Sequence, residues 1–142
     1  MSDKNTYILQ EELRKSDSLR QFEKENDSEL CAKSVADYLN ELLIKYDARR
    51  SQIAKRGGLS DGYTHQIFNG TKENPSRDIL IRIAFGFPLT VEETQRLLYL
   101  GQHGQFYVRR KRDAYLMFAL KNGYDAMQAN DLLDEKREEL LK

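Results

Sequence analysis

The stretch "GLSDGYTHQIFNG", Gly58 to Gly70, carries the pattern that decides the fold of this chain. It follows "RRSQIAKRG", residues 49–57, in which Ile53 and Ala54 are apolar among polar neighbours. The spacing predicts a short helix that buries Ile53 and Ala54, a turn at Gly58, and a second short helix anchored by Ile67. Glycine suits the turn because it adopts conformations that cost a residue with a side chain more.

Two short helices joined by a tight glycine-containing turn are typical of a helix-turn-helix motif. Most of the remaining positions in the second helix are polar, and we expect them to point outward. A short helix held at a fixed angle can enter the major groove of DNA. The motif therefore leads to the hypothesis that this helix reads nucleic acid.

The rest of the chain is also predicted to be helical. Apolar residues recur at three- and four-residue spacing, and the alternation typical of strands is almost absent. Thr90 and Glu93 form a capping box at the start of one helix. We therefore predict an all-α fold. The predicted helices lie at about residues 5–15, 16–26, 34–46, 50–57, 60–69, 76–86, 90–101, 110–120 and 125–133.

A helical hairpin of about 25 residues recurs 35 positions further along the chain. We interpret it as a duplicated or converged unit whose second copy packs against the first. The alternative is that any two amphipathic hairpins align this well. The matching positions are Arg77-Asp78 with Arg112-Asp113, Ala84 with Ala119, Thr90 with Asp125, and Leu97-Leu98 with Leu132-Leu133.

The chain has 23 basic and 23 acidic residues, so its charge is balanced overall, but the charge is unevenly distributed. Residues 1–34 carry six basic and eight acidic side chains, and residues 113–142 carry four and seven. Residues 35–112 carry thirteen basic and eight acidic side chains. A basic centre between acidic ends fits a polyanion-binding surface, and chance variation along a highly charged chain explains it equally well.

The sequence favours a cytoplasmic protein with no membrane association. A lone Cys31 cannot form an internal disulfide, which favours a reducing compartment. The start, "MSDKNTYILQ", lacks the basic and then apolar pattern of a signal peptide. The most apolar run, "ILIRIAFGFPL", contains Arg82 and is too short to span a bilayer.

Residue patterns for catalysis or metal binding are weak. His65, His103 and Cys31 do not have metal-ligand spacing. The chain also lacks the pattern of a serine-histidine-aspartate site or of a glycine-rich phosphate loop. We expect no enzyme activity, no metal and no cofactor.

The segment "IAKRGGLSDGYTHQIFNGTKENPSRDILIRIA" resembles the Cro/lambda-repressor-like (XRE-type) helix-turn-helix transcriptional regulators of bacteria and phages. The likeness covers about residues 35–100. Beyond it, "FPLTVEETQRLL" and "KRDAYLMFALKNG" are similar to segments of a bacterial subgroup with extra helices. The resemblance implies a five-helix repressor-like domain with additional N-terminal helices and a C-terminal helical hairpin. It also implies sequence-specific binding to double-stranded DNA and control of transcription.

The resemblance divides the chain into three parts and assigns residues to DNA. Residues 1–34 are expected to be an N-terminal helical extension, residues 35–101 the DNA-binding domain, and residues 102–142 a hairpin packed on it. The family reads base edges with the front of its second motif helix and holds phosphates with the flanking segments. The base-edge positions here are Ser60, Asp61, Gly62, His65 and Gln66. The phosphate positions are Arg49, Arg50, Ser51, Asn69, Thr71 and Lys72.

Two positions depart from the family pattern. Asp61 stands where Arg, Gln or Ser is common, and its carboxylate repels phosphate, although it can accept from cytosine or stabilise the helix start. Gly62 removes a side chain that often makes a contact. Zero net charge is also unusual for a DNA-binding protein. A protein-interaction adaptor that keeps the scaffold without binding DNA is therefore the alternative function.

Two features of the C-terminal part suggest partners. The run Arg109-Arg110-Lys111-Arg112 could contact the DNA backbone, or it could be a solvated helix start. Aromatic residues and methionines, which are enriched in interfaces, are numerous after Gly101. We expect a homodimer through residues 101–142, and the same hairpin could bind another protein. The residues that suggest this interface are Tyr115, Met117, Phe118, Tyr124 and Met127.

Overall fold

The computed structural model describes residues 6–15, 18–25 and 33–142, so Cys31 lies outside the described residues. Nine α-helices and no strands occur in these ranges, which confirms the predicted all-α class. None of the helices in the described ranges is long and apolar enough to cross a membrane. The helices are α1 Thr6–Lys15, α2 Leu19–Glu25, α3 Val35–Tyr46, α4 Arg50–Gly57, α5 Asp61–Phe68, α6 Arg77–Gly86, α7 Val91–Leu100, α8 Lys111–Lys121 and α9 Ala126–Glu135.

The chain divides into two compact units, residues 1–33 and residues 34–142. The first unit holds α1 and α2, which contact each other. The second unit holds the other seven helices and all the residues proposed above to contact DNA. The site therefore belongs to the second unit.

Local capping signals set the starts of most helices in the second unit. The side chain of the N-cap residue accepts a backbone N–H in α3, α5, α6, α7 and α9, which satisfies one of the free donors of the first turn. In α4 and α8 the N-cap is instead an arginine, which makes no such bond. The capping residues are Ser34, Ser60, Ser76, Thr90 and Asp125.

Two glycines let α4 lie in its observed position. Gly58 follows the last residue of α4 with φ +69° and forms the predicted turn, and two more residues lead into α5. A Cβ at Gly86 in α6 would lie 2.6 Å from the backbone oxygen of Ile53 in α4. The absence of a side chain at Gly86 therefore allows α4 and α6 to cross at close range.

One hydrophobic core spans the whole second unit. It joins side chains from α3 to α7 with side chains from α8 and α9, so residues 102–142 share the core of residues 35–101. The close packing of protein interiors makes such a shared core costly to divide. Its fully buried members include Leu39, Ile53, Phe68, Leu97, Leu116 and Leu133.

The repeated hairpin noted in the sequence is present as α6–α7 and α8–α9. The bounds of α9, 126–135, are those of α7, 91–100, shifted by 35 at both ends. Arg77 bonds both carboxylate oxygens of Asp113 at 3.2 and 3.1 Å. Arg112 bonds both carboxylate oxygens of Asp78 at 3.2 and 3.0 Å. Each arginine thus pairs with the aspartate of the other copy.

Two further arginines hold the C-terminal part against α4. Arg56 donates to the backbone oxygens of Gly123 and Tyr124, at 3.2 and 3.3 Å. Arg82 donates to the backbone oxygens of Gly57 and Leu141, at 3.2 and 2.7 Å. The end of α4, beside the glycine turn, is therefore tied to the α8–α9 turn and to α6.

Candidate nucleic-acid interface

Helix α5 has one buried face and one exposed face. Thr64, Ile67 and Phe68 are buried, while the other positions are exposed or half-buried. Thr64 is the exception to the expectation that the polar positions point outward. Its hydroxyl donates to the backbone oxygen of Ser60 at 2.9 Å, so its burial leaves no unsatisfied group.

Both ends of α5 are held in place. The hydroxyl of Ser60 accepts from the N–H of Tyr63 at 3.2 Å and caps the first turn. At the other end, the side-chain amide of Asn40 in α3 donates to the backbone oxygen of Phe68 at 2.8 Å. Contacts with α3 and α4 complete the support. A short helix supported in this way presents its exposed side chains at a fixed angle.

The five residues expected at base edges are all exposed, at the start and along the outer face of α5. Asp61 lies in the first turn, where a negative charge stabilises the positive end of the helix dipole. A Cβ built on Gly62 would have no heavy atom within 4 Å, so nothing in the fold crowds that position. His65 and Gln66 lie one turn further along, and their side chains are exposed and can form hydrogen bonds.

A hydrogen bond joins one of the expected phosphate residues to one of the expected base-edge residues. Nη1 of Arg50, in the first turn of α4, lies 2.9 Å from Nδ1 of His65. Arginine has no acceptor, so Nδ1 of His65 must accept. The neutral ring then carries its proton on Nε2, which is left as a donor. A donor in this position can bond O6 or N7 of a guanine.

The expected phosphate residues lie at the start of α4 and in the loop after α5. Arg49, Arg50 and Ser51 are exposed at the first of these places. In the loop, the side-chain oxygen of Asn69 accepts from the N–H of Thr71 at 2.8 Å, which leaves the amide NH₂ of Asn69 as a donor.

The loop that carries Lys72 is attached to α5. The N–H of Lys72 donates to the backbone oxygen of Gln66 at 3.0 Å, and its ammonium group lies 6.0 Å from the ring centroid of Tyr63. The structure thus brings the eleven candidate residues together on α4, α5 and the segments that flank them. Sequence reasoning missed Asn40 and Tyr63, because neither belongs to a local pattern that indicates a contact with α5 or its loop.

The charge around this surface differs from that of the whole chain. Between Arg49 and Lys72 there are five basic residues and one acidic residue, Asp61. Arg56 is engaged with backbone oxygens, whereas Arg49 and Lys55 are exposed. A locally positive surface attracts polyanions even when the net charge of the chain is zero.

The described part of the chain contains no group of three or more His, Cys, Asp or Glu residues that could hold a metal ion. No protein-family model matches the sequence, and neither the curated proteins nor the solved structures compared with it gave a significant match.

Proposed function

We propose that this chain is a sequence-specific DNA-binding transcriptional regulator of the Cro/lambda-repressor-like helix-turn-helix type. One observation is the main support for this proposal. The exposed polar face of α5 is joined to the cationic start of α4 by the bond between Arg50 and His65. A base-reading surface and a phosphate-binding surface must lie side by side on DNA, because groups on base edges and on the backbone are close neighbours there.

In this proposal α5 enters the major groove. Gln66 pairs with an adenine through its two-sided amide, and Nε2–H of His65 donates to a guanine. Arg49, Arg50 and Ser51 hold phosphates on one side of the groove. Asn69, Thr71 and Lys72 hold phosphates on the other side. Asp61 accepts from a cytosine amine or disfavours bases that present only acceptors, since an ionised carboxylate has no proton to donate.

The protein would work in the bacterial cytoplasm, without catalysis and without a cofactor, by occluding or recruiting RNA polymerase. One recognition helix covers only a few base pairs, so regulators of this shape usually bind as dimers with half-sites about 34 Å apart. A homodimer through the C-terminal hairpin is part of the proposal.

A protein-interaction adaptor is the competing function. The exposed carboxylate of Asp61, at the front of α5, favours it, because it weakens attraction to phosphate at the place where DNA would approach. The two functions are distinguished by whether the protein selects a DNA sequence.

The test is selection of bound sequences from random duplex DNA with the full chain. We expect one short enriched motif. Gln66→Ala should cost about 1–3 kcal/mol on that motif and relax the preference at one base pair. Lys72→Ala is the matched control, because loss of a phosphate contact weakens binding to all sequences alike. Absence of any enriched motif, together with no binding to duplex DNA, would refute the proposal and favour the adaptor.

A further inference from the structure

The basic run Arg109-Arg110-Lys111-Arg112 is not a uniform surface. Arg112 is engaged within the fold, because it bonds Asp78 and also donates to the backbone oxygens of Glu139 and Leu140 at 2.8 and 3.1 Å. Its guanidinium therefore serves the packing of the two hairpins. A role for the other three residues has to be sought outside the fold.

Arg109, Arg110 and Lys111 are exposed, and their side chains make no hydrogen bond or ion pair with any residue that the structure describes. The segment from Gly101 to Arg112 contains no acidic residue, and the next one, Asp113, is buried and bound to Arg77. Three positive charges are thus close together along the chain, and none has an ion-pair partner in the described ranges. They also lie at the start of α8, where cations are unfavourable for the helix dipole, so helix stability does not account for them.

The loop that carries these cations is held firmly next to the proposed DNA-binding segment. Nε2 of His103 lies 2.8 Å from the backbone oxygen of Pro75, which can only accept, so the histidine donates. Arg77 donates to the backbone oxygen of Gly104 at 2.8 Å and lies over the ring of Phe106, 5.5 Å from its centroid. The loop from Gly101 to Arg110 is therefore fixed against the start of α6.

The start of α6 is close to the phosphate-binding loop along the chain. Arg77 follows Lys72 by five positions, which corresponds to at most about 18 Å of extended chain. Arg77 bonds Asp113, and Asp113 follows Arg110 by less than one helical turn. One turn of B-DNA is about 34 Å long. A duplex seated on α5 is thus long enough to reach both Lys72 and the cations at the start of α8.

We propose that Arg109, Arg110 and Lys111 form a second phosphate-binding surface, which contacts the backbone of the same DNA duplex that α5 reads. This inference rests on the proposed function. Charge complementarity identifies the occupant, because the surface has three free cations in a chain of zero net charge and DNA carries one phosphate per 1.7 Å of its axis. The contacts add affinity and lengthen the footprint, and they carry no base preference.

The test is a salt titration of binding to the selected motif with the double variant Arg109→Ala/Arg110→Ala. Loss of two phosphate contacts should reduce the slope of log K against log salt by about 1.8, at about 0.9 per contact. The base preference should be unchanged. The variant should melt like the parent protein, because neither side chain has a partner in the described structure.

The matched control is Lys121→Ala/Lys136→Ala, which removes the same charge from the other end of α8 and from the end of α9. It should leave the slope unchanged. An unchanged slope in the Arg109/Arg110 variant, while the parent still selects its motif, would overturn this inference and leave the proposed function intact. An equal reduction in both variants would also overturn it, since only the total charge would then matter. A parent that binds no duplex DNA would overturn both.

Discussion

At the scale of single residues, two glycines of the candidate interface differ in backbone conformation. Gly70, directly after the C-cap residue Asn69 of α5, has φ +82°, the left-handed conformation for which glycine is preferred at helix ends. Gly62 lies inside α5, in an ordinary helical conformation with open space around it. Replacement by alanine should therefore change the stability of the protein in opposite directions at the two positions.

We expect Gly70→Ala to destabilise the protein by about 1 kcal/mol or more, because an alanine in the left-handed region is strained. Steric conflict is not the cause, since the added Cβ would lie 3.8 Å from Cβ of Ala36, an ordinary contact. Gly62→Ala should stabilise the protein by up to about 1 kcal/mol, because glycine weakens a helix. Urea unfolding of the two variants measures both changes, and equal stability of Gly70→Ala and the parent would contradict the strain.

At the scale of elements, the reciprocal ion pairs join the starts of α6 and α8. The carboxylate of Asp113 is only 3% exposed, whereas Arg77 and Arg112 are about one-fifth to one-quarter exposed. Removing one partner of a buried pair is more costly than removing both, because it leaves a buried charge without compensation.

We expect Arg77→Met to destabilise the protein by about 3–5 kcal/mol. The double variant Arg77→Met/Asp113→Leu should recover part of that loss. A double-mutant cycle, measured by urea unfolding, gives the coupling free energy between the two residues. Lys142→Ala, which removes an exposed pair with Glu139, is the control and should change stability by less than about 1 kcal/mol. A loss in Arg77→Met as small as that in the control would contradict a structural role for the pair.

A second polar contact joins α3 to the start of α7. Glu93 accepts from the ammonium of Lys45 at 2.6 Å, from the hydroxyl of Tyr46, and from the N–H of Thr90 at 3.0 Å. Burial alone would raise the pKa of Glu93, but these hydrogen bonds outweigh burial and hold the pKa below its ordinary value of 4.5. Burial, and then the hydrogen bond to Glu93, raises the pKa of Tyr46 above its ordinary value of 10.

The lowered pKa of Glu93 predicts a loss of stability in acid. The pKa of Asp78 is also lowered, since the hydrogen bonds from Arg112 and the N–H of Lys142 outweigh its burial. The unfolded chain then binds protons more readily than the folded one, so stability rises with pH in this range. We expect the contribution to be complete above about pH 4.5 and to be lost as the pH falls through the folded pKa values.

Thermal melting between pH 7 and pH 2.5 measures this loss. Glu93→Gln should flatten part of the acid slope, and Asp134→Asn, at an exposed carboxylate, is the control that should leave it unchanged. An acid slope in Glu93→Gln as steep as that of the parent would show that Glu93 does not contribute.

At the scale of the whole molecule, the C-terminal hairpin is part of the core and also has an exposed apolar surface. Tyr115, Met117 and Tyr124 are half-buried against the core. Phe118 and Met127 are 53% and 74% exposed. Of the five residues expected at a dimer interface, these two are the best placed to contact a second copy. A truncation at Gly101 would remove core residues, so substitution is the better test of the dimer.

We expect the full chain to sediment as a dimer at micromolar concentration, because aromatic residues and methionine are favoured in interfaces. Phe118→Ser/Met127→Ser should give a folded monomer with weaker binding to a two-half-site DNA. Tyr99→Ser, at a residue 70% exposed on α7, is the control that should remain a dimer. A parent that sediments as a monomer both with and without DNA would exclude the dimer.

The sequence by itself determined the helices, their starts and the main turns. Ser34, Ser60 and Thr90 cap helices at the predicted positions, and Gly58 forms the predicted turn with a positive φ. These features depend on bonds and sterics within three or four residues, so a short stretch of sequence contains all the information that they need. The outward direction of His65 and Gln66 follows from helical periodicity for the same reason.

Only the tertiary structure decided which similar side chains are engaged and which are free. Nothing local distinguishes Arg112 from Arg110, yet one bonds Asp78, 34 residues away, and the other is exposed. Asn40 supports α5 from 28 residues away, and Phe118 is exposed although Leu116 and Ala119 are buried. Such assignments depend on how helices cross in space, because a partner distant along the chain leaves no periodic or capping pattern beside the residue that it binds.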